Sequence, residues 1–171
     1  MSAVALSATL ERRLVDEPGA ILETIARDYG VTMRQAVEAL PAALRRFAPG
    51  SAFVEALTDV AAWGEVTVIL HTDDGVMEFT GPVPPGKIGQ GYYNLAGRTG
   101  FHGHLRHERC AAIAFVERPL FGRLSAAMLF LNRDGGVMFK IFVGRDDKRE
   151  LLADQLAAFR ALADRLCGPA A

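Results

Sequence analysis

Trp63-Gly64-Glu65-Val66-Thr67-Val68-Ile69-Leu70-His71-Thr72-Asp73-Asp74-Gly75 is the stretch on which the fold turns. Before Gly64, apolar residues recur at three- and four-residue intervals; after it, Val66, Val68 and Leu70 alternate with Thr67, Ile69 and His71. The first spacing marks one face of a helix, the second a strand with two unlike sides. Asp73-Asp74-Gly75 supplies a hairpin turn, and Val76 to Thr80 returns as the partner strand. The chain passes here from helices into a sheet.

Upstream, Leu6, Leu10 and Leu14 stand four apart on one helical face, and Leu22, Ile25, Ala26 and Tyr29 on a second, with Gly30 where a left-handed cap belongs. Thr32 and Gln35 predict a capping box for a third helix that Pro41 closes. Ser51 is expected to cap a fourth, whose Phe53, Val54, Leu57, Val60 and Trp63 form a core-facing stripe ended by Gly64. The second and third helices resemble a helix-turn-helix, yet the would-be reading helix carries only Arg34 and Glu38 as charges, which favours packing over reading DNA. Pro49-Gly50 is the expected break between an N-terminal helical subdomain, 1–49, and a sheet domain, 50–171, within one compact unit.

Downstream, Gly81-Pro82-Val83-Pro84-Pro85-Gly86 is expected to be a loop, because three prolines bring no donors to a ladder. Strands are expected at 91–95, 101–107, 110–117, 124–131 and 137–143, the last two joined through Arg133-Asp134-Gly135-Gly136. Short connections make antiparallel neighbours, and no strand-helix-strand rhythm appears. Asp146 or Asp147 is expected to cap a final helix bearing Leu152, Leu156, Phe159 and Leu166. The fold class is therefore α+β: a large antiparallel sheet with N-terminal helices and a C-terminal helix.

With 171 residues, of which 50% are hydrophobic, the chain can bury a core without a disulfide or a structural metal. A net charge of -1 argues against a dedicated nucleic-acid binder. Cys110 and Cys167 make no disulfide framework, the N-terminus lacks the basic start of a secretory signal, and no apolar run approaches the roughly 18 residues of a membrane span. A cytoplasmic protein is expected, with no membrane and no nucleic-acid partner.

Three of the four histidines lie between Gly91 and Val116. On a strand at 101–107, His102, His104 and Arg106 would share one face and His107 the other. His71 closes the first strand opposite Val66, Val68 and Leu70, so imidazoles from His71 and His104 could approach a large planar ligand, with Gly103 leaving room. Haem iron takes His or Tyr among its axial ligands, and its carboxylate tails call for Arg or Lys, for which Lys87, Arg98, Arg106 and Arg123 are candidates. Phe101, Phe79 and Met77 could pack on the ring. Spacing does not select haem over zinc, for which His102, His104, His107 and Cys110 form a compact donor set. Gly86-Lys87-Ile88-Gly89-Gln90-Gly91 lacks the order of a phosphate loop, Ser125 has no nucleophile elbow and Cys110 no nearby base, so no enzyme is supported.

Trp63-Gly64-Glu65-Val66-Thr67, Leu70-His71-Thr72, Gly91-Tyr92-Tyr93-Asn94-Leu95, Gly103-His104-Leu105, Cys110-Ala111-Ala112-Ile113-Ala114 and Met138-Phe139-Lys140-Ile141-Phe142-Val143-Gly144-Arg145-Asp146, in this order, resemble the HutX/ChuX family of cytosolic haem-utilisation carriers. The resemblance implies an α+β homodimer that binds haem in a cleft on each subunit and hands it to a haem-degrading partner rather than degrading it. It implies His71 and His104 as the haem histidines. The chain departs at Ile88-Gly89-Gln90, where some members carry His-x-His, which makes Tyr92 or Tyr93 the local alternative iron donor, with a core role expected for at least one. Alternatives of other classes are a haem-responsive helix-turn-helix regulator and an enzyme acting on haem or a related tetrapyrrole.

Overall fold

The computed structural model describes residues 3–97 and 100–168. Helices α1 (Ala3–Asp16), α2 (Leu22–Tyr29) and α3 (Met33–Glu38) lead into strand β1 (Arg45–Pro49) and helix α4 (Phe53–Val60). Eight strands follow: β2 (Glu65–Thr72), β3 (Gly75–Pro82), β4 (Gly86–Gly89), β5 (Tyr92–Leu95), β6 (Gly103–Leu105), β7 (Cys110–Leu120), β8 (Arg123–Asn132) and β9 (Val137–Phe142). Helix α5 (Ala153–Cys167) closes the described chain. Six strands form one antiparallel sheet in the order β1-β7-β8-β9-β2-β3, and β4-β5-β6 form a second.

Helices lie on both faces of the large sheet. On one face Ile113, Phe115, Met128, Phe130 and Ile141 pack with Phe53 of α4, Phe159 of α5, and Tyr93 and Leu95 of the small sheet. On the other, Ala112, Ala114, Val116, Ala127, Leu129 and Leu131 receive Leu10 and Leu14 of α1, Leu22 and Ile25 of α2, and Val37 of α3. Strands β7 and β8 read as near-continuous apolar runs because both of their faces are covered. In β2 only one face is: Val66 and Val68 are fully buried, while Thr67, Ile69 and His71 retain solvent. Polar-apolar alternation in the sequence therefore maps where the helices stop.

The capping box forms as expected, Gln35 N donating to Thr32 Oγ1 and Thr32 N to Gln35 Oε1, and Gly30 caps α2 in the left-handed region. Several boundaries move. Pro49-Gly50 does not hang free: β1 pairs with β7 from Arg45↔Val116 to Pro49↔Ala112, and a Cβ on Gly50 would collide with the backbone of Cys110. A 3₁₀ turn then leads into α4 with Ala52, not Ser51, at its N-cap. The expected proline loop shortens to 83–85, because β3 runs on to Pro82 and Gly86 opens β4. The strand expected at 101–107 shrinks to Gly103–Leu105, and His107 enters a 3₁₀ turn. Asp146 caps a tight turn instead of α5: its Oδ1 accepts from the Lys148 and Glu150 amides, while α5 begins after Leu152 without a side-chain cap.

Candidate functional site

His71 and His104 belong to different faces of the molecule. His71, at the end of β2, points to the side on which α2 packs, and its Nδ1 lies 3.3 Å from Glu23 Oε1 in the first turn of α2. The same carboxylate oxygen pairs with Lys140 Nζ. Lys140 is the cross-strand partner of Ile69 and only 9% exposed. Burial would raise the Glu23 carboxyl, but Lys140, and to a lesser degree His71, outweigh it and hold the group below the usual carboxylate range.

Two residues back along β2, roughly 6.6 Å on the same face, Ile69 enters a hollow of about 380 Å³. Its floor and walls are Ile69, Phe142, Leu120, Phe121 and Leu152, with Thr67 and Thr80 beside them. The volume falls within the range of small-molecule sites. Arg145 stands in the lining, its guanidinium steadied by donation to the carbonyls of Arg149 and Leu124. Phe121 occupies the two-residue β7–β8 turn at φ 50°, with Gly122 at φ 76°, and is 81% exposed. Such a turn wants Asn or Gly at its first position, so a bulky ring held there against backbone preference, in the wall of a cavity, is a candidate contact rather than a packing residue.

His104 sits on β6 of the small sheet, whose inner residues Tyr93 and Leu95 join the opposite core. Its Nδ1 is 2.6 Å from Asn94 Oδ1. Because Asn94 Nδ2 donates to the carbonyls of Lys87 and Gly89, its Oδ1 is the atom left to face the ring. Cross-strand pairing puts Lys87, Asn94 and His104 in one row. The Tyr92 ring lies edge-on to His104, centroids 6.0 Å apart, and the Arg106 guanidinium sits 5.7 Å over Tyr92. Tyr92, His104, Arg106 and Lys87 thus form one exposed surface, while Tyr93 takes the core role: it is 1% exposed and its hydroxyl accepts the Gly86 amide.

The remaining expected residues disperse. His102 Nδ1 bonds the Gly100 carbonyl just before β6. His107 turns its ring toward Phe53, 6.3 Å away, and Cys110 is buried with Sγ donating to the Ala112 carbonyl; burial pushes its thiol up to about 11. Among the described residues no three His, Cys, Asp or Glu side chains converge as a metal site, so the zinc arrangement is not assembled. Phe79 and Phe101 stack at 5.4 Å, but the pairs Val68↔Phe79 and Leu70↔Met77 put Phe79 and Met77 on the face opposite His71. Arg123 is paired with Glu150, and Arg98 lies outside the described residues.

Sequence reasoning missed Glu23, Lys140, Arg145 and Phe121. Lys140 and Arg145 lie in the run 138–146, and a lysine inside an apolar strand is a legible signal of a buried partner. Glu23 and Phe121 carried none, since their neighbours in space are distant in sequence.

Residues 46–162 match the family model described as haem utilisation ChuX/HutX. The chain is 36% identical over 159 residues to the intracellular heme transport protein HutX of Vibrio cholerae, covering 92% of this chain and 82% of that protein. Among solved structures, a protein of Erwinia carotovora superposes with a TM-score of 0.89 at 44% identity, covering 92% of this chain and 98% of that one. The heme-binding protein ChuX does so at 0.84 and 41%, covering 91% and 97%. On the matched span, the identity and the shared fold together, this chain belongs to the ChuX/HutX family of haem-utilisation proteins.

Proposed function

We propose that the protein is an intracellular haem carrier, which binds haem reversibly in the cytoplasm and passes it to a haem-degrading enzyme for iron utilisation. The observation that carries this reading is an available imidazole, His71, two residues along β2 from Ile69 in a part-apolar hollow where the helices leave that face of β2 uncovered, in a chain of the haem-utilisation family. Haem is cargo here, and the residues suit it. Ile69, Phe142, Leu152 and Phe121 offer apolar surface to the macrocycle, Arg145 a fixed cation for a propionate, and His71 Nε2 an axial donor. The donor lies on an exposed strand end, which allows haem to leave, as a carrier requires.

His104 is the second candidate ligand, with Tyr92, Arg106, Lys87 and His102 as its neighbours. Its surface and the His71 hollow lie on different faces, so the homodimer expected of the family acquires a role in this reading: a second copy can present the small-sheet surface to the hollow. Segments 1–49 and 50–171 act as one unit, since β1 and the N-terminal helices share the large sheet. No catalytic role is assigned. Among the described residues no helix is long and apolar enough to cross a membrane.

A visible-absorption titration with ferric haem, beside His71→Ala and His104→Ala, tests the reading. A saturable, sharpened Soret band that shifts or weakens in His71→Ala is expected. The spectrum of free haem throughout the wild-type titration would refute it. Light scattering of the wild type checks the dimer, and spectral transfer to an added apo haem oxygenase checks the hand-over.

A further inference from the structure

We infer that Glu23, fixed by Lys140, is a positioning residue for His71: it takes the Nδ1 edge of the ring and leaves Nε2 turned outward as the iron-donating nitrogen. This rests on the proposed haem reading and deepens it. A neutral imidazole has one N–H and one lone-pair nitrogen, and the partner of either decides which is which. An ionised carboxylate only accepts, so the nitrogen facing it carries the proton. With Nδ1 3.3 Å from Glu23 Oε1, the proton belongs on Nδ1 and the lone pair on Nε2. Catalytic and ligating contacts of this length commonly tighten when the ligand arrives.

Glu23 is well suited to orient and His71 to be oriented. Lys140, rooted in the centre of the large sheet, pairs with the Glu23 carboxylate and keeps it an acceptor. Arg118, also buried, donates to the Pro18 and Ala20 carbonyls and so pins the segment that leads into α2. Two interior cations therefore hold the carboxylate and its helix, whereas His71 stands at the exposed end of β2 with no other side-chain partner among the described residues. A carboxylate behind an imidazole also raises the donor strength of the free nitrogen. A salt bridge that merely docked α2 would leave the His71 tautomer and haem affinity untouched.

The test uses the whole chain. Long-range ¹H–¹⁵N spectra of the apoprotein at mildly alkaline pH are recorded for wild type, Glu23→Gln and the double variant Glu23→Leu/Lys140→Met. Each is then titrated with ferric haem beside His71→Ala. The double variant removes the carboxylate and its counter-charge together, which keeps the fold intact. In the wild type His71 is expected as the Nδ1–H tautomer. The double variant should show mixed tautomers and about tenfold weaker haem binding, while Glu23→Gln, which retains an acceptor, restores the tautomer and part of the affinity. A tautomer unchanged in the double variant overturns the inference, as does unchanged haem affinity where His71→Ala weakens it. Haem binding unaffected by His71→Ala sinks the ligand assignment instead, and the apoprotein spectra then decide separately whether Glu23 orients the ring.

Discussion

His71 and His104 present the same local device in two electrostatic settings. Each ring has Nδ1 engaged and Nε2 without a partner among the described residues, but His71 faces the charged Glu23 and His104 the neutral amide of Asn94. Behind Glu23 stands a buried lysine on the large sheet; behind Asn94 stand carbonyls of a three-stranded ribbon. One histidine is therefore backed by the core and stands two residues along β2 from a residue that lines the hollow, while the other rides on an exposed surface with Tyr92 and Arg106. What differs is not the residue but the depth of what supports it, and the stronger donor is expected where the support is ionic and buried.

The comparison breaks most sharply in stability. Glu23→Ala strands the Lys140 charge and is expected to cost about 3–5 kcal/mol, against about 1 kcal/mol for Asn94→Ala, which removes neutral hydrogen bonds at a half-exposed position. Denaturant unfolding of both variants measures the gap, and equal losses would mean that the two supports are equivalent.

Haem affinity comes next. His71→Ala is expected to weaken binding on the order of 100-fold, the upper end of what losing a supporting partner costs, and His104→Ala by less than about tenfold. Soret titrations that reversed this order would make the small sheet the primary site.

Phe121 sharpens the contrast from the side of the hollow. Phe121→Asn suits the left-handed turn, a conformation that costs an ordinary residue roughly 1–2 kcal/mol and asparagine less, and should stabilise the fold by up to about 1 kcal/mol while weakening haem binding several-fold. A rise in melting temperature with unchanged haem affinity would remove Phe121 from the site.

The smallest effect is in pH dependence. Because Glu23 has a folded-state pKa below its ordinary value, the unfolded chain binds its proton more readily. The pair's contribution is complete above the ordinary carboxylate range and is lost as pH falls through the lowered value. Relative to Glu23→Leu/Lys140→Met, wild-type stability should therefore fall more steeply below about pH 4.3. Parallel acid limbs would show the pair to be silent.

Much of the fold was legible because periodicity reports burial directly. The break at Gly64, the capping box at Thr32-Gln35 and the β8–β9 hairpin are local features whose physics lies within a few residues. Strand β1 was not legible, since Arg45-Arg46-Phe47-Ala48-Pro49 has little strand character alone and becomes a strand by pairing with β7. The β6 region misled for the opposite reason: alternation at 101–107 suggested one long strand, but Gly103, at φ 151°, and the turn at His107 break it. Of the candidate site, the histidines could be read and their supports could not. Asn94 and His104 are ten positions apart, and Glu23 and Lys140 117.

By itself the sequence determined the α+β class, the alternation along β2 and the family, and it singled out two candidate histidines, because each is written in residue types at short spacing. Only the tertiary structure decided that these histidines lie on different faces. It also decided that α2 brings Glu23 to His71 and that the uncovered strip of sheet is hollowed beside it. Those depend on where helices stop covering strands, and that is set by long-range packing.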